Sequence, residues 1–346
     1  MIERHVQMGG TMHIGIIGTG WISRQFADAV HQQQGAQMAG ILSRTRESAE
    51  RFKYPDEAYP AYDDIEEFLA DSKIDTVYIA SPNSMHYSQA AKAISVGKNV
   101  IVEKPAFSNP TEFAKIETLL RHHPQVRFFE AARNIHTDTF RSIAEQVENM
   151  GQVGGAVFSY MKYSSKYDAV LAGTAPNVFT AQFSGGALQD LGVYPVYDAI
   201  ALFGPPHSAE YHCLLLPTGT DAMGTGVLHY QHFDVTLLIS KTVNSRFGSE
   251  IYAGRQTLSF GNGGDLGSVR LMEDDGTVQE ICPSPTGNPM SGEVRDFTDV
   301  IQAPAEPANQ SRYLRWLKTS REVCETLWQM RQSAGIHFPA DDADGR

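Results

Sequence analysis

The sequence predicts an α/β fold, with a doubly wound parallel sheet at the N-terminus and then an α+β unit built on a large open, mainly antiparallel sheet. From Met12 to about Ala132, short apolar runs alternate with amphipathic helical patterns. That order builds parallel strands with helices on both faces, and right-handed crossovers make the doubly wound arrangement the simplest outcome. A glycine-rich turn, Gly18-Thr19-Gly20, separates the first apolar run from the first helical pattern. From about Tyr211 to Gln279 the alternation gives way to short strands with Gly, Asn and Asp turns, such as Gly261-Asn262-Gly263-Gly264-Asp265. Such turns favour antiparallel hairpins.

Taken in order, residues 13–17 read as a buried strand. Ile22, Phe26, Ala29 and Val30 follow at helical spacing, and Gly35 suits the position just past a helix end. Further strands are expected over 38–42, 76–80, 99–102 and 126–129. Helices are expected over 46–52, 84–96 and 111–122, and another carries Ile65, Phe68 and Leu69 behind a cap at Asp63 or Asp64. The second unit shows a helix over 137–149, a strand over 153–163, a helical stretch over 188–203 and a final helix over 311–333. The implied division is an extension or tag over 1–11, a nucleotide-binding domain over 12–132 and a second domain over 133–346.

At 346 residues the chain exceeds the usual size of a single core. A formal net charge of −12 argues against a broad basic face, so a nucleic-acid partner is not expected. Cys213, Cys282 and Cys324 are odd in number and scattered, which fits a reducing cytoplasm and neither a disulfide framework nor a structural zinc site. No apolar run reaches the length of about 18 residues that a membrane span needs. No H-x-x-x-H spacing or clustered acid–His set suggests a metal.

The segment Gly18-Thr19-Gly20-Trp21-Ile22-Ser23 follows a strand and opens a helix, the setting of a Rossmann dinucleotide site. Gly18 suits the tight turn, Gly20 allows a pyrophosphate to approach the backbone, and the helix N-terminus offers N–H donors. Ser23 replaces the third glycine and is still small enough for close helix–sheet packing. An NAD site usually carries an acid at the end of the second strand. Here Ser43-Arg44 stands there, with Arg46 beyond, and arginines suit a 2′-phosphate. The expected cofactor is therefore NADP, with NAD less favoured. After the third strong strand, Ser81-Pro82-Asn83 and His86 stand where ligands bind in this architecture, although Asn83 can equally serve as a helix cap. Glu103-Lys104-Pro105 ends the following strand. A lysine beside an oxidised nicotinamide is expected to have its pKa lowered into the range of acid–base chemistry. Pro105 fixes the turn and is a candidate for a cis bond. Arg133 and His136 follow the last strand of the first domain as cleft candidates. Tyr160, Lys162, Tyr163 and Lys166 lie on or after the first strand of the second. There aromatics usually pack, and Lys162 and Tyr163 are placed to line a polyol site.

Together these motifs resemble the Gfo/Idh/MocA oxidoreductases, the glucose–fructose oxidoreductase and inositol dehydrogenase family. Gly185-Gly186-Ala187-Leu188-Gln189-Asp190-Leu191-Gly192-Val193-Tyr194 is similar to a second segment of that family. The resemblance implies a Rossmann domain, a second domain with an open sheet often used to dimerise, and hydride transfer between NAD(P) and a hydroxyl or carbonyl carbon of a sugar or polyol. It also implies Lys104 at the reacting oxygen and Asp190 as the acid of the second motif. Many sugar dehydrogenases of the family have His where Tyr194 stands. Tyr there resembles glucose–fructose oxidoreductase and the dimeric dihydrodiol and xylose dehydrogenases. A phenol with its pKa lowered by Lys104 can exchange a proton with the substrate oxygen. Asp190 and Tyr194 are four residues apart, as on one helix face, but Pro195 interrupts a regular helix there.

The resulting expectation is a homodimeric or larger NADP-dependent enzyme acting on a small molecule, an aldose or related polyol. Lys104, Tyr194 and Asp190 carry the chemistry; Lys104, Arg133, Lys162, Tyr163 and Tyr194 hold substrate. The alternatives are a trans-dihydrodiol or other carbonyl dehydrogenase, and a nucleotide-sensing regulator on the same fold. Retention of proton-transfer groups favours the enzyme.

Overall fold

The computed structural model describes residues 10–54 and 57–342. Of the extension or tag expected over 1–11, residues 1–9 lie outside the described residues. The first sheet comprises β1 (Met12–Ile17), β2 (Ala36–Leu42), β3 (Ala61–Tyr62), β4 (Thr76–Ile79), β5 (Asn99–Glu103) and β6 (Phe128–Ala131). Its strands are parallel in the order β3-β2-β1-β4-β5-β6. The crossovers are α1 (Trp21–Gln32), α2 (Arg46–Phe52), α3 (Ile65–Ala70), α4 (His86–Ser95) and α5 (Pro110–His122). Local chemistry starts these helices. Thr45 accepts a hydrogen bond from the Ser48 amide, Asp64 rather than Asp63 caps α3, and Asn109 caps α5 with Pro110 at its first position.

A short 3₁₀ turn, Arg133–His136, leads into α6 (Asp138–Asn149), β7 (Gly155–Met161) and α7 (Tyr167–Leu171). A π-helical turn, Leu188–Gly192, then runs into α8 (Val193–Phe203). The second sheet is completed by β8 (Ser208–Leu215), β9 (Asp221–His229), β10 (Asp234–Ser240), β11 (Ser249–Ala253), β12 (Gln256–Phe260), β13 (Val269–Met272) and β14 (Val278–Cys282). Its order is β14-β13-β12-β11-β7-β10-β9-β8, and only the β7–β10 pair is parallel among the described residues. One face buries Leu228, Leu237, Ile239, Ile251 and Leu258 against α6, α8 and the end of α10 (Pro307–Ser333). The opposite face leaves Arg270 and Met272 exposed. The strand expected over 153–163 is shorter at both ends, and the final helix begins four residues before the expected 311. No helix among the described residues is long and apolar enough to cross a membrane.

Besides the short α7, a longer helix was not expected from the sequence, α9 (Ser291–Gln302). Its apolar side, Val294, Phe297 and Val300, joins the core formed by α1, β1, β4, β5 and β6. The reason lies in the crossovers. α4 and α5 cover β4–β6 from the face that also holds Phe68, Ile94 and Phe113, so the α1 face above β5 and β6 lacks a crossover helix. The chain returns after the second sheet and fills that space. Phe297 stacks on Phe129 of β6 at 4.5 Å between centroids, and Trp316 of α10 meets both rings edge-on.

Polar groups join the two halves at Glu130 of β6. Its carboxylate accepts hydrogen bonds from the Ala106 amide and from the Tyr197 hydroxyl of α8, which also meets Ser320 of α10. Burial pushes the Glu130 carboxyl up to about 7, more than these hydrogen bonds lower it. The folded state therefore binds this proton more tightly than the unfolded chain. The associated stability is complete below the unfolded value near 4.5 and is lost as pH rises toward 7. A displacement of that size corresponds to up to about 3 kcal/mol. Gln keeps one acceptor for the Ala106 amide and, like the protonated acid, can donate to the Tyr197 hydroxyl, whose own proton then turns to Ser320. Glu130→Gln is expected to raise the urea midpoint relative to the parent at pH 8 and to leave it within error at pH 4.5; equal midpoints at both pH values would contradict this.

Candidate active site

The carboxyl edge of the first sheet carries the dinucleotide turn. Gly18 has φ +109°, and a Cβ there would stand 2.7 Å from the Ala80 carbonyl oxygen, so the close approach of the β1 and β4 ends demands glycine. At Gly20, the residue before α1, a Cβ would meet nothing within 4 Å. Gly18 thus serves the fold, and Gly20 faces the open space a pyrophosphate requires. Ser23 is fully buried, and its hydroxyl has no partner among the described residues. Thr19 and Ser43 hydroxyls lie 3.3 Å apart across the ends of β1 and β2. Arg44 is exposed and makes no hydrogen bond or ion pair among the described residues. Arg46 is exposed as well, with surface contacts of 3.5 Å to Asp63 and Glu67. Trp21 opens α1 with its indole 73% exposed.

Beside this turn lies a cleft of about 740 Å³ between the two sheets. Of the residues singled out from the sequence, it gathers Trp21, Ile22, Ser81, Asn83, His86, Glu103, Lys104, Arg133, Lys162, Tyr163, Lys166, Asp190 and Tyr194, together with Tyr160. Pro82 precedes the 3₁₀ turn of Asn83 at its edge. His136 is elsewhere, buried with Nδ1 2.9 Å from Asp296 and its ring against Phe297 and Trp316. Tyr163 donates its hydroxyl proton to Asp168, and the Asn83 amide donates to the Ser184 carbonyl at 2.9 Å. His86 is buried, with its ring nitrogens 3.1 Å from the Pro105 oxygen and 2.9 Å from the Ser81 oxygen. It ties the turn after β4 to the turn after β5, where Lys104–Pro105 is cis.

At the floor, Lys104 donates to the Asp190 carbonyl at 2.8 Å and reaches its Oδ1 at 3.3 Å. The other oxygen, Oδ2, lies 2.6 Å from the ammonium of Lys241, the first residue after β10. Lys241 carried no motif and was not singled out from the sequence. The Lys104 ammonium stands 4.7 Å from the Tyr194 ring centroid, and Tyr160 packs edge-on against the same ring. Arg133 donates to the Gly264 carbonyl in the β12–β13 connection. A Cβ on Gly264 would fall 2.2 Å from the Tyr160 ring, so this connection closes tightly over the tyrosines. The turn expected at 261–265 thus also walls the site. The π-helical turn runs without a break into α8, where Pro195 is the third residue.

The electrostatics differ from expectation. Burial opposes the charge of Lys104, but Tyr194, Asp190 and Glu103 outweigh it and hold the ammonium above its ordinary value. Burial likewise raises the Tyr194 phenol, against the lowering pull of Lys104 and Arg133. The lowering expected for Lys104 belongs to a site holding an oxidised nicotinamide; for Tyr194 the expected pull of Lys104 is present, and burial outweighs it. For Asp190, withdrawal from water favours the neutral acid, yet Lys241 and Lys104 together keep its carboxyl well below the usual range. Glu103 accepts from the Tyr78 hydroxyl, and burial raises its carboxyl. The result is a lysine that keeps its proton until a substrate or cofactor alters the balance, beside a phenol that does the same.

Comparison with known proteins fits this geometry. Residues 12–132 match the model of the Gfo/Idh/MocA oxidoreductases, described as an oxidoreductase family with an NAD-binding Rossmann fold. An uncharacterized oxidoreductase of Escherichia coli is 33% identical over 95% of this chain and 98% of its own length. The chain belongs to the Gfo/Idh/MocA family. Another relative, scyllo-inositol 2-dehydrogenase (NADP(+)) of Bacillus subtilis, is 31% identical over 96% of this chain and 100% of its own. A 3-ketoreductase from Actinomadura kijaniata, solved with NADP and TDP-benzene, shares the fold at TM-score 0.79 and 18% identity, covering 94% of this chain and 98% of the other. As a Gfo/Idh/MocA oxidoreductase, the chain has its dinucleotide turn where Gly18 and Gly20 differ in role. Gly20→Ala is expected to leave the melting temperature near that of the parent and to weaken NADPH binding about tenfold or more. Gly18→Ala should lower the melting temperature as well, since its Cβ collides with backbone. Fluorescence titration and calorimetry distinguish the two; a Gly20→Ala protein binding NADPH like the parent would contradict the assignment.

Proposed function

We propose that this Gfo/Idh/MocA oxidoreductase is NADP-dependent and transfers a hydride between the nicotinamide and a hydroxyl or carbonyl carbon of an aldose or related cyclic polyol. The observation that carries the reading is the convergence of Lys104, from the first sheet, and Tyr194, from α8, on one cleft beside the open dinucleotide turn. The NADP-specific relative acting on an inositol supports the cofactor and substrate class.

The residues fit the cofactor. Gly18, Thr19, Gly20 and the start of α1 with Trp21 and Ile22 would take the pyrophosphate, and Ser43 with the exposed Arg44 and Arg46 the 2′-phosphate. Ser81, Pro82, Asn83 and Glu103 would frame the nicotinamide end. When bound, NADP supplies or accepts the hydride. The chain itself must manage the proton of the substrate oxygen. With Lys104 and Tyr194 both protonated in the cleft, each is ready to donate to an oxygen gaining negative charge during carbonyl reduction. In oxidation the same pair must take the hydroxyl proton, which the high values of both groups make favourable once a proton has been given up. Asp190 anchors Lys104. Arg133, Lys162 and Tyr163 stand at the wall to hold further hydroxyls. The proton-transfer pair distinguishes an enzyme from a nucleotide sensor, which needs only the turn.

Tyr194→Phe removes one oxygen from a buried ring. It should leave folding and NADPH binding nearly intact and reduce turnover roughly 10²–10⁴-fold, the usual scale of general acid–base catalysis; a variant retaining more than about a third of parental turnover on an active substrate would place Tyr194 outside the chemistry. Lys104→Ala should fall at least as far. Cofactor preference has its own test in paired titrations. The parent is expected to bind NADPH more tightly than NADH, with Arg44→Ala losing most of the difference; equal parental affinities would overturn the assignment of Arg44. We also propose a homodimer through the open face of the second sheet, where Leu214, Met272 and Val278 are about half exposed. Sedimentation at micromolar concentration should give twice the chain mass, and a monomer would refute it.

A further inference from the structure

We propose that Lys241 is a positioning residue for proton transfer: it holds the second oxygen of Asp190 and thereby fixes both the place and the proton affinity of Lys104. Lys241 is 1% exposed, an unusual state for an ammonium, which is strongly hydrated in water. Its partners account for the burial. Nζ lies 2.6 Å from Asp190 Oδ2, donates to the Val178 carbonyl at 3.0 Å and stands 4.3 Å from the Phe179 ring centroid. Its backbone is equally fixed. The amide donates to the Ala222 carbonyl, and its own carbonyl accepts from the Ser164 amide. The ammonium is therefore delivered by the sheet register rather than by a mobile loop.

The consequence falls on Lys104. Asp190 divides one negative charge between two cations, one on each oxygen. Without Lys241 the carboxylate would be free to rotate toward Lys104 and would serve it alone. A like charge across the carboxylate would also be gone. Both changes make Lys104 hold its proton more tightly and draw its amine toward Asp190, away from the cleft. Lys104 is otherwise faced by Tyr194 on α8, Glu103 on β5, Tyr160 on β7 and the buried His86 on α4. None of these replaces the cation lost at position 241. Two unit charges about 6 Å apart at a protein-like dielectric interact strongly enough to move a proton equilibrium tenfold or more.

This rests on Lys104 as the proton-transfer group, so the test reads Lys104 without turnover. Trace acylation of the full-length protein with acetic anhydride at pH 9, followed by peptide mass spectrometry, gives the rate at Lys104 relative to the exposed Lys73. Only the neutral amine reacts. Lys241→Met is expected to slow Lys104 about tenfold or more, Lys241→Arg to stay within about threefold of the parent, and Asp190→Asn to speed it. Lys241→Gln, which retains polar contacts without the charge, provides the same reading if the Met variant does not fold. An unchanged or faster Lys104 in both neutral variants would overturn the proposal. Where a substrate is turned over, the pKa of the ascending limb of the oxidation pH profile should move upward by about one unit in Lys241→Met with the NADPH dissociation constant unchanged. A uniform loss of activity without that movement would mark Lys241 as merely structural. Because acylation needs no substrate, its failure is distinct from a failure to find turnover.

Discussion

Asp190 holds one lysine on each carboxylate oxygen at the place where the two halves of the chain meet. Lys104 arrives from β5 of the first sheet and Lys241 from β10 of the second, and both ammoniums are almost withdrawn from water. Neither could remain charged there without a counter-charge, since removing one partner of a buried ion pair costs about 3–5 kcal/mol. Asp190 serves both because a π-helical turn delivers it to the cleft floor and leaves Tyr194 in the first turn of the next helix. The location of the cleft, the orientation of the Lys104 amine and the proton-holding state of the site follow from that bridge.

The rest of the architecture brings these groups together. The close packing of Gly18 on Ala80 sets the ends of β1 and β4 side by side, at the switch point of the strand order where such sheets bind ligands. Glu130, Tyr197 and Ser320 fasten β6 to α8 and α10. α9 then seals the face of the first sheet above β5 and β6. The β12–β13 connection, pressed onto Tyr160 through Gly264, closes the opposite wall.

Much of the first sheet was legible because its signals are local. Apolar period, a capping Asp64 and the glycine turn each act within a few residues. α9 was not legible, since its place depends on which sheet face the crossovers leave bare, a property of the assembled topology. The parallel β7–β10 pair within an otherwise antiparallel sheet is hidden for the same reason. At the site, motifs marked Lys104, Asp190 and Tyr194, and the structure brings them to one cleft. Lys241 has no motif; its role arises from burial and register, which a lone lysine after a strand does not disclose. The upward direction of the Tyr194 shift was missed because it comes from burial, a property of the assembled fold. The π-helical turn just ahead of Pro195 is likewise not shown by regular helical spacing.

Under the proposed function, Asp190 organises a site for hydride transfer rather than only joining two domains. The most direct measurement follows deuterium from NADPH deuterated at nicotinamide C4 into a carbonyl substrate, for the parent and for Asp190→Asn at equal occupancy of the cofactor. The account predicts label on the carbinol carbon of the parent's product, and transfer slowed by two orders of magnitude or so in Asp190→Asn while NADPH still binds, consistent with the loss of a positioned acid–base pair. Transfer at the parental rate by the Asn variant would contradict it.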